Sequence, residues 1–314
     1  MSTSKNNIST LAHSLGFVRI GFAKAEPFTK EYDHYKKWLA DGMNAGMEWM
    51  ETTAEKRADV SRVLDGAKTV IMTAYNYFTP FRHEVTYSPG KGKLSRYAWG
   101  SEYQAIILPK LKQVCAAISE THRGSNSVCY VDTGSVLEKQ WAVRAGIGWQ
   151  GKSGLIITKE YGSWIFLGTI ITDVEFEPDY PIKNYCGSCT LCMDSCPTGA
   201  LVRPSVLDAR KCLSYWTIEA SPDREIPSVV ANKAQGWIYG CDACQNVCPW
   251  NMKQAPTKEE LFRPRDGETC LDPRKILAMT KEEFSERFRK SSLKRLKPEG
   301  LARNIRDILK IKAG

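Results

Sequence analysis

The sequence predicts an α+β protein in three parts, and three observations carry that reading. Apolar, β-branched runs alternate with helical periodicity up to about residue 178. Eight of the eleven cysteines then fall between positions 186 and 248. Helix signatures rich in Lys and Arg occupy the remainder. The expected organisation is a mixed α/β domain over residues 1–178, a cysteine-rich module over 179–255 and a basic helical tail over 256–314. A chain of 314 residues is long enough for one large core or two smaller ones.

The runs at 69–77, 128–132, 155–158 and 164–172 are apolar without strict alternation, as strands buried on both faces are. Between them, residues 101 to about 122 place Ile106, Ile107, Leu111, Val114, Cys115 and Ile118 on one side of a helix. Ser135-Val-Leu-Glu138 has the form of a capping box, so a helix is expected from Ser135, closed by Gly146 and Gly148. Pro178 and Pro181 mark the break before the cysteines. In the tail, Thr280-Lys-Glu-Glu283 is a second capping box, and Pro298 and Gly300 are expected to turn the chain between terminal helices.

Cys186-Gly-Ser-Cys189-Thr-Leu-Cys192-Met-Asp-Ser-Cys196-Pro197 has the spacing C-x2-C-x2-C-x3-C-P. This is the ferredoxin pattern, in which three thiolates hold one 4Fe–4S cluster and the Pro-flanked fourth ligates a neighbour. Cys241-Asp-Ala-Cys244-Gln-Asn-Val-Cys248-Pro249 repeats it with one cysteine missing, and Cys212 lies between to supply that thiolate. Crossing the Pro-flanked cysteines puts Cys186, Cys189, Cys192 and Cys248 on one cluster. The other takes Cys196, Cys212, Cys241 and Cys244. A lone Cys is more often a small buried hydrophobe, so only the ligand count recruits Cys212. Structural zinc is the alternative, but zinc takes two separated pairs, which four cysteines this dense overfill. Cys115, Cys129 and Cys270 lack ligand spacing and read as core thiols.

The ends of the chain bound the setting. Met1-Ser-Thr-Ser-Lys-Asn-Asn has no apolar export segment and no twin-Arg pair, and no apolar stretch approaches a membrane span. With eleven cysteines this favours metal ligation in a reducing cytoplasm over disulfides. A single chain without membrane attachment is expected. Of the net charge of +9, residues 281–312 hold eleven Lys and Arg against five acids. Such a tail suits nucleic-acid phosphates, with Lys294, Arg295 and Arg303 as the contacts, although a solvated helical face is equally ordinary.

One-electron carriers need a destination, and about 185 residues precede them. The best acid there is Asp132, at the end of an apolar strand and just before a helix start, where α/β folds tend to place ligands. It could serve as a proton donor; equally it could cap the turn. The following Ala145-Gly-Ile-Gly-Trp-Gln-Gly-Lys152-Ser153 allows close backbone approach by a bulky ligand, but matches no nucleotide-binding motif.

Together, the cysteine segments, Cys212-Leu-Ser-Tyr-Trp-Thr-Ile-Glu219, Val131-Asp-Thr-Gly-Ser-Val-Leu-Glu-Lys-Gln-Trp-Ala142 and Gly146-Ile-Gly-Trp-Gln-Gly-Lys152 resemble the epoxyqueuosine reductases. Weaker echoes are Glu55-Lys-Arg57-Ala-Asp and Ser95-Arg-Tyr97-Ala. The resemblance implies a ferredoxin-like module behind a cobalamin-binding α/β domain. It implies cobalamin and two 4Fe–4S clusters, tRNA carrying epoxyqueuosine as substrate, and an unidentified electron donor. Asp132 would protonate the departing epoxide oxygen. Arg57, Tyr97, Asp132, Leu137, Glu138, Lys139, Lys152 and Ser153 would contact cobalamin. Longer relatives continue into a helical-repeat tail, whereas this chain ends about 60 residues after the last cluster cysteine, so it is expected to be a short form. A corrinoid reductive dehalogenase is the nearest rival enzyme. A non-catalytic iron–sulfur electron carrier and a zinc-dependent nucleic-acid module are rivals of other classes.

Overall fold

The longest β-branched run becomes the centre of the main sheet. The computed structural model describes residues 2–83, 90–265 and 268–311. Its strands in chain order are β1 Arg19–Lys24, β2 Thr69–Asn76, β3 Gly92–Leu94, β4 Ser127–Tyr130, β5 Trp149–Gln150, β6 Ile156–Ile157, β7 Ile165–Thr172, β8 Leu201–Arg203, β9 Val206–Leu207, β10 Trp237–Tyr239 and β11 Cys270–Leu271. The main sheet has the order β1-β2-β7-β4 and is antiparallel throughout. The 128–132 run therefore forms an edge strand of an antiparallel sheet, not a strand at a parallel-sheet switch point.

Every residue of β2 is buried, which explains why its sequence does not alternate. Ile71 and Tyr75 face the Tyr103–Thr121 helix, packing with Ile107, Leu111 and Val114. Val70, Met72 and Ala74 face Trp141 and Ala142 of the Glu138–Arg144 helix on the opposite side. Each such large side chain stabilises the fold by about 1.5–3 kcal/mol when fully removed from water. The Ser2–Ser14 helix adds Ile8 and Ala12 to the first layer. Neither this helix nor β1 stood out in the sequence.

A second sheet, of order β10-β3-β11, draws one strand from each of the three expected segments. Leu94 and Trp99, Ile238 and Tyr239, and Leu271, Phe284, Leu301 and Ile305 share one core around it. The boundaries at 178/179 and 255/256 thus mark changes of composition and do not separate independent cores. Among the described residues, no helix is long and apolar enough to cross a membrane.

The Thr280–Glu283 capping box forms as expected, at the start of the Lys281–Arg287 helix. The tail differs in its turn. The Ser292–Leu296 segment runs directly into the Lys297–Leu309 helix, and the change of direction falls on Lys297, at φ +56°. Pro298 is in the first helical turn, where its missing N–H costs nothing.

Arg303 corrects the expected tRNA contacts. It is 1 % exposed, and its guanidinium donates to the carbonyls of Trp216 at 2.8 Å, Ser221 at 3.2 Å, Ala220 at 3.4 Å and Arg224. Those carbonyls close the segment that follows Cys212, so this cation binds the tail to the cysteine module and cannot reach a phosphate. Arg303→Ala should destabilise the protein by about 3 kcal/mol, because it strips several buried carbonyls of their partner. Urea unfolding would show it as a lower midpoint, with little change expected for Lys294→Ala on the exposed side.

Candidate active site

Pairing between β4 and β7 ends at Tyr130 opposite Thr169, and the chain leaves the sheet edge into the loop that carries Asp132. There Asp132 adopts φ +60°, a left-handed conformation that Asp tolerates better than most residues. Contacts from three elements hold it. Tyr103 Oη donates to Asp132 Oδ2 at 2.7 Å. The neighbouring Gln104 Nε2 donates to the Val131 carbonyl at 3.2 Å. Asp132 N–H donates to Glu138 Oε1 at 3.3 Å, and Thr169 Oγ1 of β7 donates to the same oxygen at 3.3 Å. Further along the loop, Arg57 donates to the Val136 carbonyl at 3.3 Å. Gly134 passes so close to Tyr130 that a Cβ there would lie 2.7 Å from its ring.

This arrangement displaces the expected capping box. The helix begins at Glu138, with Leu137 as its N-cap and no side-chain cap hydrogen bond. Glu138 turns its carboxyl to the Asp132 amide and to Thr169, so it is not available to reach back to Ser135.

The charges in this region are shifted from their ordinary values. Burial, reinforced by the charge of Asp132, pushes the Glu138 carboxyl up to about 8. Burial and the Asp132 carboxylate raise the Tyr103 hydroxyl, keeping it a donor. Burial lowers Lys139, although Asp132 and Glu138 oppose that effect. Lys139 is solvent-exposed although protein packs around it on most sides. Tyr97 is likewise partly exposed but enclosed, and it is hydrogen-bonded to Tyr239. Arg295 pairs with Glu219 at 2.9 Å and lies within electrostatic reach of Tyr239, Tyr97 and Tyr103. Of the three expected tRNA contacts, Arg295 approaches the site, Lys294 is exposed and Arg303 is buried.

The thiols on the far wall fall into two neighbourhoods. Cys248 feels Cys186, Cys192 and Cys189, and Cys192 feels Cys186 and Cys189. Cys241 feels Cys244 and Cys212, while Cys244 feels Cys212, then Cys196, and least of all Cys192 of the first group. Protein surrounds Cys212, Cys241 and Cys244 almost completely, and Cys192 and Cys248 much less. Burial pushes the Cys244 thiol up to about 12 and raises Cys212 as well. Such thiols ligate by losing protons to the incoming metal. Among the described residues, no three His, Cys, Asp or Glu side chains converge on a single-ion site. Four thiols in each group match the ligand set of one 4Fe–4S cubane. Lys139 lies within electrostatic reach of Asp132 and Glu138 and, on the thiol side, of Cys244 and Cys212.

Lys152 and its loop behave differently from the expectation. Lys152 Nζ donates to the carbonyls of Gly187 and Cys189, each at 2.8 Å, and so braces the outer thiol loop. A Cβ on Gly146 would lie 2.6 Å from the Tyr180 carbonyl, and one on Gly148 2.3 Å from the Ile157 carbonyl. These glycines admit neighbouring backbone, not a ligand. Ser153 is partly exposed in the same loop, and Leu137 packs on the second core layer. The residues that sequence reasoning missed are Tyr103, Gln104 and Thr169. Tyr103 begins a helix whose apolar face had already been recognised, but only the fold reveals what it meets.

Two groups of four thiols, one of them within reach of a lysine that neighbours a held carboxyl, are in class the parts of a two-cluster iron–sulfur oxidoreductase. Residues 185–251 match the family model of a 4Fe–4S double cluster binding domain. Residues 57–133 match that of epoxyqueuosine reductase QueG, DUF1730. The chain is 39% identical over 309 residues to the epoxyqueuosine reductase of Atelocyanobacterium thalassa, covering 98% of this chain and 99% of that one. It is 42% identical over 270 residues to that of Synechocystis sp., covering 86% and 92%. A crystal structure of selenomethionine-labelled epoxyqueuosine reductase matches with a TM-score of 0.91 at 32% identity, over 97% of this chain and 80% of that one. Another, with an epoxyqueuosine-modified tRNA stem loop, gives 0.90 at 32% identity and the same coverages of 97% and 80%. The chain belongs to the epoxyqueuosine reductase family.

Two measurements bear on this geometry. Cys212→Ser removes one thiol from the inner group, so bound iron should fall from about eight to about four per chain while the outer cluster keeps its spectrum. For Glu138, the folded state holds its proton from the ordinary value of 4.5 up to about 8. Because the folded state binds more protons in that window, Glu138 costs stability increasingly as pH rises through it. Glu138→Gln should therefore gain thermal stability relative to wild type between about pH 5 and pH 9, measured as a widening Tm difference.

Proposed function

We propose that this chain reduces epoxyqueuosine to queuosine at the wobble position of tRNA in the cytoplasm. The observation that carries the reading is Asp132, held by Tyr103 and the Glu138 carboxyl, beside a lysine that is also within electrostatic reach of the inner thiols. Cys186, Cys189, Cys192 and Cys248 would hold one 4Fe–4S cluster. Cys196, Cys212, Cys241 and Cys244 would hold the other. The neighbourhoods of the thiols support that crossed assignment.

Opening an epoxide to an alkene consumes two electrons and two protons and releases water. The departing oxygen leaves as an alkoxide unless a proton meets it. Asp132 would supply that proton, with Tyr103 fixing the orientation of its carboxyl. Help of this kind is worth about 10²–10⁴-fold in rate. Glu138 would keep the Asp132 amide in place.

Lys139 would offer cobalamin an ammonium and Tyr97 an aromatic ring, both side chains being accessible beside Asp132. Lys139, Glu138, Tyr97, Leu137, Asp132 and Ser153 would line the cobalamin site, with Arg57 supporting it through the Val136 carbonyl. When bound, cobalamin supplies a reducible cobalt able to engage the epoxide carbon. Lys152 is committed to the cysteine loop and is a support, not a cofactor contact. On the tRNA side, Lys294 and Arg295 would meet phosphates beside the cavity.

Anaerobic incubation of cobalamin-loaded, reduced protein with epoxyqueuosine tRNA, followed by nucleoside analysis, should yield queuosine. Asp132→Asn should keep both clusters and bind tRNA with wild-type affinity while queuosine formation drops by about 10²-fold or more. Turnover near wild type would leave Asp132 with only a turn-forming role.

A further inference from the structure

The reaction proposed above needs two electrons delivered to clusters that hold one each, and the surface shows where they enter. The inner thiols Cys212, Cys241 and Cys244 are enclosed by protein, whereas Cys192 and Cys248 of the other set are much less so. Large apolar side chains stand exposed next to this outer set. Tyr185, 40 % exposed, precedes Cys186; Leu191, 46 % exposed, precedes Cys192; Met252, 68 % exposed, follows Cys248 by four residues. Tyr185 and Trp250 approach with ring centroids 6.0 Å apart, which brings the two cysteine segments to one face.

The rim of this face is basic. Lys159 Nζ lies 4.4 Å from the centre of the Tyr185 ring, and Lys183 and Lys253 are exposed on the flanking segments. Two of the nearby acids are already paired with cations. Glu160 pairs with Arg19 at 2.6 Å, Asp179 pairs with Lys5 at 2.7 Å, and Asp194 accepts a hydrogen bond from Thr190 at 2.7 Å. An apolar centre with a cationic rim, set over the outer of two redox centres, matches the usual anatomy of a transient protein interface.

We propose that this face docks a small acidic one-electron carrier protein, which reduces the outer cluster directly. In each docking event the reduced carrier loses one electron and the outer cluster gains it, and two events supply one turnover. No proton or bond changes hands at this surface. The inference rests on the two-cluster reading, and its test needs neither tRNA nor cobalamin.

The experiment uses purified protein with both clusters intact. Under anaerobic stopped flow, bleaching of the cluster absorption is followed after mixing with a reduced flavodoxin or a reduced plant-type ferredoxin, both net negative. The methyl viologen radical serves as a protein-free reductant. A Lys159→Glu, Lys183→Glu, Lys253→Glu triple variant should be reduced by the two carriers about ten-fold more slowly at low salt. Its rates should converge with wild type as salt rises, while the viologen rate and iron content stay unchanged. Should the triple variant lose iron, the milder Lys159→Gln, Lys183→Gln pair is compared with wild type in the same way. Carrier rates equal to wild type in a variant with full iron would overturn the proposal. If the wild-type protein forms no queuosine yet the triple variant still slows the two carriers, the reaction fails and the docking face stands.

Discussion

The site depends on how the backbone of Asp132 is held in a left-handed turn. That conformation costs roughly 1–2 kcal/mol for a residue with a Cβ, so it persists only because surrounding groups over-determine it. Tyr103 grips the side chain, Glu138 accepts from the amide, and Gln104 takes the preceding carbonyl. Each comes from a different part of the fold or a different face of the loop. Thr169, on the central strand β7, completes the set by donating to Glu138. The carboxyl of Asp132 is thereby aimed by the Tyr103–Thr121 helix and not by its own loop alone.

The same interaction sets the electrostatics. An enclosed Glu138 that remains protonated near neutral pH is a neutral acceptor, so it can hold the Asp132 amide without adding a second full negative charge beside the acid. Lys139 offsets part of what remains, and it does so from a position that also faces Cys212 and Cys244. A cation there favours electron density on the inner thiol group. The two halves of the proposed chemistry, electrons from one wall and a proton from the other, therefore meet at one lysine.

How much of this was legible depends on whether the determinants are local. The cysteine spacing is local, because ligands to one cubane must come from a few short turns, and both thiol neighbourhoods follow it. Asp132 was legible from its place between strand and helix. Tyr103, Gln104 and Thr169 were not, since their partners lie far away in sequence. The two capping boxes make the contrast plain. Thr280 and Glu283 have no competing partners and cap each other. Ser135 and Glu138 have the same spacing, but the Asp132 amide and a threonine on β7 take the carboxyl first. The antiparallel order of the main sheet was equally hidden, because a strand buried on both faces reads the same in either direction.

The tail shows why a charge run is a poor guide to surface potential. Of the three cations expected to face phosphate, Arg303 is spent on four carbonyls in the interior, and its charge holds the cysteine module to the terminal helix. Arg295 is paired with Glu219, but both remain partly exposed, and a surface pair of this kind is worth only about 0–1 kcal/mol. Exchanging Glu219 for a phosphate oxygen would therefore cost little. Because Arg295 also lies near Tyr97, Tyr103 and Tyr239, that exchange would happen beside the cavity and not on a remote face. The contribution of the tail to tRNA recognition is then positional: one cation by the site matters more than the net charge of the segment, much of which packs inward or pairs with neighbouring acids.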